Sequence, residues 1–154
     1  MACRPRPSHA SQKGAVDMHP SVEERARTYA GLRGFHVLIA DDMDAIRTLY
    51  RTGLSHAVPE MRVSMASDGL ETVRLAQELV PDVILMDVTM PGIDGLEATR
   101  RIKADPRTRR VRVIAITGTV YDSGTVLAAG CDGYLLKPVT PDEILREIAR
   151  TFRA

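Results

Sequence analysis

The chain predicts an α/β domain, a doubly wound sheet of five parallel strands, and three observations carry that expectation. Short runs of strand length recur at 35–40, 61–66, 82–87, 111–116 and 133–136, alternating with stretches at helical spacing. The first, third and fourth runs are continuously apolar, the pattern of strands covered on both faces. Strands that alternate with helices through right-handed crossovers wind into a parallel sheet with helices on both sides.

Composition fits one such domain. The 154 residues carry a net charge of +1 and 44% hydrophobic content, enough to bury a core and outside the disordered class. No apolar stretch reaches membrane-span length, and the basic N-terminus lacks the apolar segment of a secretory signal. Cys3 and Cys131 make neither a disulfide framework nor a zinc site, so the expected compartment is the reducing cytoplasm. Residues 1–33 hold six Lys/Arg against three Asp/Glu, too small an excess for a nucleic-acid binder. The domain is therefore placed at 34–154, behind an N-terminal extension over 1–33 expected to be largely disordered.

Within the extension, Ser21 and Glu24 form a capping box, and Val22, Ala26 and Tyr29 recur at helical spacing, which predicts a short helix over 21–31. Ile46, Leu49, Tyr50, Leu54 and Ala57 mark the helix after the first strand. Asp68, with Glu71 three residues on, caps the next helix, whose expected inner face is Leu70, Val73, Ala76 and Val80. Leu96, Thr99 and Ile102 mark the helix after the third strand, closed by Pro106. The segment 118–130 is poor in helix formers and contains Gly124, so its helix is expected to be short or loosely ordered. Thr140 and Glu143 form a capping box with Pro141 at the first helical position, and Ile144, Leu145, Ile148 and Phe152 supply that helix's apolar face.

In open parallel sheets, ligands bind beyond the carboxyl ends of the strands. Those ends carry Asp41-Asp42, Asp87, Thr117-Gly118 and Lys137-Pro138, and Lys137 is one of only three lysines among 21 basic residues. Taken singly, each has an ordinary reading: a turn aspartate, a β-favouring threonine, a solvated lysine. Together, three clustered carboxylates repel, and at least one left unpaired would take up a proton. The cluster makes sense as a site for a hard divalent cation, and Mg²⁺ suits oxygen ligands with room for water and phosphate.

Asp41-Asp42, the run Asp87-Val88-Thr89-Met90-Pro91-Gly92 with Gly95, Thr117-Gly118, and Tyr134 before Lys137-Pro138 together resemble a bacterial two-component response-regulator receiver domain, over about 34–153. The likeness is to the stand-alone, chemotaxis-regulator kind. It implies a flavodoxin-like fold with strand order 2-1-3-4-5, and a phosphoprotein of signal transduction rather than an enzyme. Asp87 would be the phosphoacceptor. Asp42, Asp87 and the backbone carbonyl of Thr89 would ligate Mg²⁺, with Asp41 acting indirectly. Lys137 and Thr117 would hold phosphoryl oxygens, and Thr117 with Tyr134 would form the switch. The Lys137-Pro138 peptide would be cis. Partners would be a histidine kinase or histidine phosphotransfer protein and a downstream protein at the face around Tyr134, with no nucleic acid and no membrane.

Physical chemistry agrees with those roles. Phosphoryl transfer asks for positioning and charge neutralisation, and an aspartyl phosphate adds charge and acceptors that can draw a hydroxyl toward it. Two other classes compete. A haloacid-dehalogenase-like phosphatase also forms an aspartyl phosphate, but it needs an acid–base Asp where Thr89 stands. A pseudo-receiver would dock without phosphorylation, against the intact Asp42, Asp87, Thr117 and Lys137. The basic run from Arg100 to Arg112 has no interleaved aromatic and reads as a solvated surface.

Overall fold

The computed structural model describes residues 21–120 and 123–153. Five parallel strands, β1 (His36–Ala40), β2 (Arg62–Ala66), β3 (Val83–Asp87), β4 (Arg112–Thr117) and β5 (Gly133–Leu136), pair in the order β2-β1-β3-β4-β5. This is the order expected of the doubly wound fold. The helices are α1 (Val22–Thr28), α2 (Asp44–Ala57), α3 (Gly69–Leu79), α4 (Gly95–Ala104), α5 (Ser123–Ala128) and α6 (Pro141–Arg153).

Alternation along the strands divides the core in two. Leu38, Ile84, Met86, Val113 and Ala115 face α3, α4 and α5, where Ala76, Leu96, Ile102 and Val126 meet them. Val37, Ile39, Leu85, Ile114 and Ile116 face α2 and α6, where Leu54, Ile144, Leu145 and Ile148 close the layer. The Thr140–Glu143 box forms as expected, each residue's side chain accepting the other's backbone N–H. Phe152 lies at the rim, its ring edge-on to Phe35 with centroids 4.9 Å apart.

The inner face of α3 differs from the expectation. Leu70 and Val80 are 56% and 52% exposed, while Gly69, Thr72 and Ala76 are buried. The helix packs too closely for large side chains: a Cβ on Gly69 would stand 2.5 Å from the carbonyl oxygen of Ile93. Val80 has left the helix altogether, capping it in the left-handed conformation at φ 42°. Leu49 of α2 also faces outward, at 52% exposure. Apolar spacing identifies a helix but not which stripe meets the sheet.

The helix expected over 21–31 is present as α1, with the Ser21–Glu24 capping box, followed by a 3₁₀ turn at Ala30–Leu32. Residues 1–20 of the extension lie outside the described residues. Tyr29 and Leu32 are 3% and 4% exposed and join the core layer between the sheet and α2 and α6. The Tyr29 hydroxyl donates to Asp142 Oδ1 at 2.9 Å, and its pKa is pushed up to about 12 by burial and by the Asp142 carboxylate. The packed unit therefore includes residues ahead of 34. Leu32→Ala is expected to cost about 2–4 kcal/mol and lower the melting temperature by roughly 5–10 °C. Thermal denaturation checks this, and an unchanged midpoint would mean the segment does not pack in solution.

The helix expected to be weak, α5, has six residues; positions 121 and 122 ahead of it are outside the described set. The basic run is largely paired. Arg100 and Arg101 contact Glu97, Lys103 and Arg112 contact Asp132, and Arg107 contacts Asp105.

Candidate functional site

Asp41, Asp42, Asp87, Thr117 and Lys137 are each delivered by the end of a strand. The Asp41 N–H extends the ladder by donating to the Ala66 carbonyl, and the Asp41 side chain then turns the chain: Oδ1 accepts the Met43 N–H at 2.9 Å. Asp87 repeats the device, with Oδ1 accepting the Thr89 N–H at 3.2 Å. The ordinary role of a strand-end aspartate as a turn former is thus satisfied by one oxygen. In both residues the other oxygen faces Lys137, whose Nζ is 2.9 Å from Asp41 Oδ2 and 3.4 Å from Asp87 Oδ2.

Asp41 and Asp87 are only 2% and 6% exposed, whereas Asp42 opens to solvent. Side-chain oxygens from all three lie within 4.8 Å of one another. Burial and, after it, the charge of Asp41 push the Asp87 carboxyl above its ordinary value, with Lys137 opposing. Burial works against the Lys137 ammonium, but the Asp41 hydrogen bond and the two carboxylate charges outweigh it and raise its pKa. An oxygen-only donor set carrying excess negative charge, open on the Asp42 side, fits a hard divalent cation such as Mg²⁺.

Lys137 is held from behind. Its N–H donates to the Thr117 carbonyl at 2.7 Å, and the Lys137-Pro138 peptide is cis, as the resemblance implied. Thr117 is fully buried at the end of β4, and its Oγ1 accepts the Thr119 N–H at 3.1 Å. Tyr134, half-buried on β5, donates from its hydroxyl to the Thr119 carbonyl at 3.4 Å. The expected switch pair is therefore joined through the backbone of Thr119, which sequence reasoning passed over. The signal for it was only its place two residues after Thr117. Gly95 holds α4 against the site: its N–H donates to the Val88 carbonyl at 2.8 Å, and a Cβ there would run into the Asp87 carbonyl. Gly118 faces open space, with nothing within 4 Å of a Cβ at that position.

A parallel sheet in this order, with carboxylates and a lysine at its carboxyl edge, defines an open α/β domain whose ligand site lies at the topological switch point. Residues 37–149 match the family model of the response regulator receiver domain. The chain belongs to that family, the receiver domains of two-component signal transduction. It is 35% identical over 112 residues to the nitrate/nitrite response regulator protein NarL of Escherichia coli, covering 73% of this chain and 52% of that protein. It is 36% identical over 116 residues to the response regulator GacA of Pseudomonas aeruginosa, covering 75% and 54%. The chain spans about half the length of these curated relatives.

Among solved structures, the chemotaxis response regulator CheY4 of Vibrio cholerae superposes with a TM-score of 0.70 at 28% identity, covering 76% of this chain and 98% of that one. The receiver domain of the sensor histidine kinase PA1611 of Pseudomonas aeruginosa, which has a magnesium ion coordinated in its active-site cleft, superposes at 0.70 with 32% identity, covering 79% and 99%. Among the described residues, no helix is long and apolar enough to cross a membrane.

Proposed function

We propose that this receiver accepts a phosphoryl group on Asp87 from a phosphohistidine of a histidine kinase or phosphotransfer protein. The observation that carries this reading is the Asp87 carboxylate, 6% exposed yet turned to Lys137 at 3.4 Å beside Asp41 and Asp42. An Asp87 oxygen attacks phosphorus, an O–P bond forms, and the N–P bond to the imidazole breaks with the electron pair leaving on nitrogen. Lys137 releases part of its hold on Asp41 and offers its ammonium to a phosphoryl oxygen. Asp42, Asp87 and the carbonyl of Thr89 are the residues that would hold Mg²⁺, with Asp41 acting indirectly. When bound, the ion supplies neutralisation of the carboxylate and phosphoryl charge.

The Thr117 hydroxyl, drawn to the phosphoryl group, gives up the Thr119 N–H, and the Thr119 carbonyl held by Tyr134 moves with it. The signal is read by a protein bound at the face around Tyr134. In the phosphatase alternative Thr89 would have to act as acid and base, which a threonine does not do. The decisive measurement is intact mass after incubation with acetyl phosphate and Mg²⁺. A gain of one phosphoryl group is expected, dependent on Mg²⁺ and absent in Asp87→Asn. No gain from a folded protein in excess Mg²⁺ would overturn the phosphoacceptor reading in favour of a docking module.

A further inference from the structure

One cation beside the site has no part in the chemistry above. Arg47 stands in the first turn of α2, where the helix dipole disfavours positive charge, yet its side chain is only 14% exposed. Helical side chains lean toward the helix N-terminus, and this one reaches back over the turn that leads out of β1. Its Nη1 donates to the Asp41 backbone carbonyl at 2.6 Å, and its Nη2 donates to Asp44 Oδ1 at 3.0 Å. One planar guanidinium thus spans both ends of the turn from Asp41 to Asp44.

Met43, just ahead of α2, gives the helix no side-chain cap, so the turn depends on other ties. Asp41 is held at every polar position. Its N–H donates to the Ala66 carbonyl, Oδ1 accepts from the Met43 N–H, Oδ2 from Lys137, and the carbonyl from Arg47. Asp42 is the opposite case. Its exposed carboxylate makes no hydrogen bond among the described residues, although one of its oxygens lies within 4.8 Å of those of Asp41 and Asp87. The backbone that bears this carboxylate therefore decides where it stands. A peptide unit is planar, so holding the Asp41 carbonyl oxygen also holds the N–H and Cα of Asp42.

We propose that Arg47 is a positioning residue of the cation site: its grip on the Asp41 carbonyl fixes the Asp41–Asp42 peptide and keeps the Asp42 carboxylate beside that of Asp87. Without the grip, repulsion among three carboxylates turns the one exposed member outward to water. The contact is to a main-chain oxygen, so it takes no carboxylate oxygen away from a cation. Asp44 steadies the guanidinium from the solvent side, being 85% exposed itself.

The inference rests on the phosphoacceptor reading, and its test separates the two. Arg47→Met removes the guanidinium and keeps an apolar stem. Its Mg²⁺ affinity, read from the rise in melting temperature along a Mg²⁺ titration, is expected to weaken about tenfold. Phosphoryl uptake from acetyl phosphate should need about tenfold more Mg²⁺ to reach half its maximal rate, with the maximal rate itself within about twofold of wild type. Leu32→Ala, destabilised outside the site, is the comparison: it should melt lower and keep the wild-type Mg²⁺ dependence. A merely structural arginine would behave in the same way. If Arg47→Met does not fold, Arg47→Lys takes its place: one ammonium does not span both acceptors, and Mg²⁺ binding about threefold weaker is expected. Wild-type Mg²⁺ affinity in the folded variant overturns the proposal, and so does a lowered maximal rate with unchanged Mg²⁺ dependence. If wild type takes up no phosphoryl but Mg²⁺ affinity still depends on Arg47, the phosphoacceptor reading falls and the role of Arg47 stands. No effect of Mg²⁺ on wild type, in melting or in uptake, overturns both.

Discussion

Asp87→Asn is expected to melt higher than the wild-type chain at neutral pH. Asp87 is 6% exposed, and its carboxyl is pushed above the ordinary 3.8 first by burial and then by the charge of Asp41. The folded state therefore holds a proton that the unfolded chain has already lost, over the window between 3.8 and the raised value. Stability falls as pH rises through that window and stays reduced above it. Asn is close in shape and carries no charge, so it removes the loss. The gain should be fully present at pH 7 and should vanish as the pH falls toward 3.8. Mg²⁺ should raise the melting temperature of wild type by binding the folded state, and should do so far less in the variant. Thermal melts between pH 4 and 8, with and without Mg²⁺, check both. A variant less stable than wild type at neutral pH would show that Lys137 outweighs the desolvation and repulsion.

Gly95→Ala has the larger cost. The added Cβ would collide with the Asp87 carbonyl oxygen and stand 2.9 Å from both the Asp87 carbonyl carbon and Met86 Cγ. Backbone cannot yield as a flexible side chain does, so α4 must separate from the end of β3. The Gly95 N–H bond to Val88 is weakened by the same movement. A loss of about 2–4 kcal/mol is expected, with reduced Mg²⁺ binding, because the displaced segment carries Asp87 and Thr89. Gly118→Ala is the comparison: its Cβ meets nothing within 4 Å, so the fold should be unaffected. Urea denaturation of the two variants decides, and equal midpoints would contradict the close approach at Gly95.

The order of elements was legible because two periodicities, 2 for strands and 3.6 for helices, leave their mark on which residues are apolar. The capping boxes at Ser21 and Thr140 were legible for a related reason: each joins residues three apart, so sequence separation is spatial separation. Leu70 and Val80 have the apolar spacing of an inner face but stand exposed. The face of α3 that meets the protein is made of Gly69, Thr72 and Ala76, chosen for closeness rather than hydrophobicity. Thr119 was passed over because it acts through its N–H and carbonyl, which every residue possesses.

The sequence by itself determined the doubly wound sheet, the family, and the identity of Asp41, Asp42, Asp87, Thr117 and Lys137 as strand-end residues, since all of these follow from local pattern and from the topology rule that gathers strand ends at one edge. The tertiary structure alone decided how their charges are shared. Lys137 sits closer to Asp41 than to Asp87, and each buried carboxylate commits one oxygen to its own turn. It alone decided, too, that Tyr29 and Leu32 belong to the core. Distances of this kind depend on how elements far apart in the chain settle against one another. Lys137 and Asp41 are 96 residues apart in sequence and 2.9 Å apart in space, a proximity set by close packing of the whole domain that no local pattern encodes.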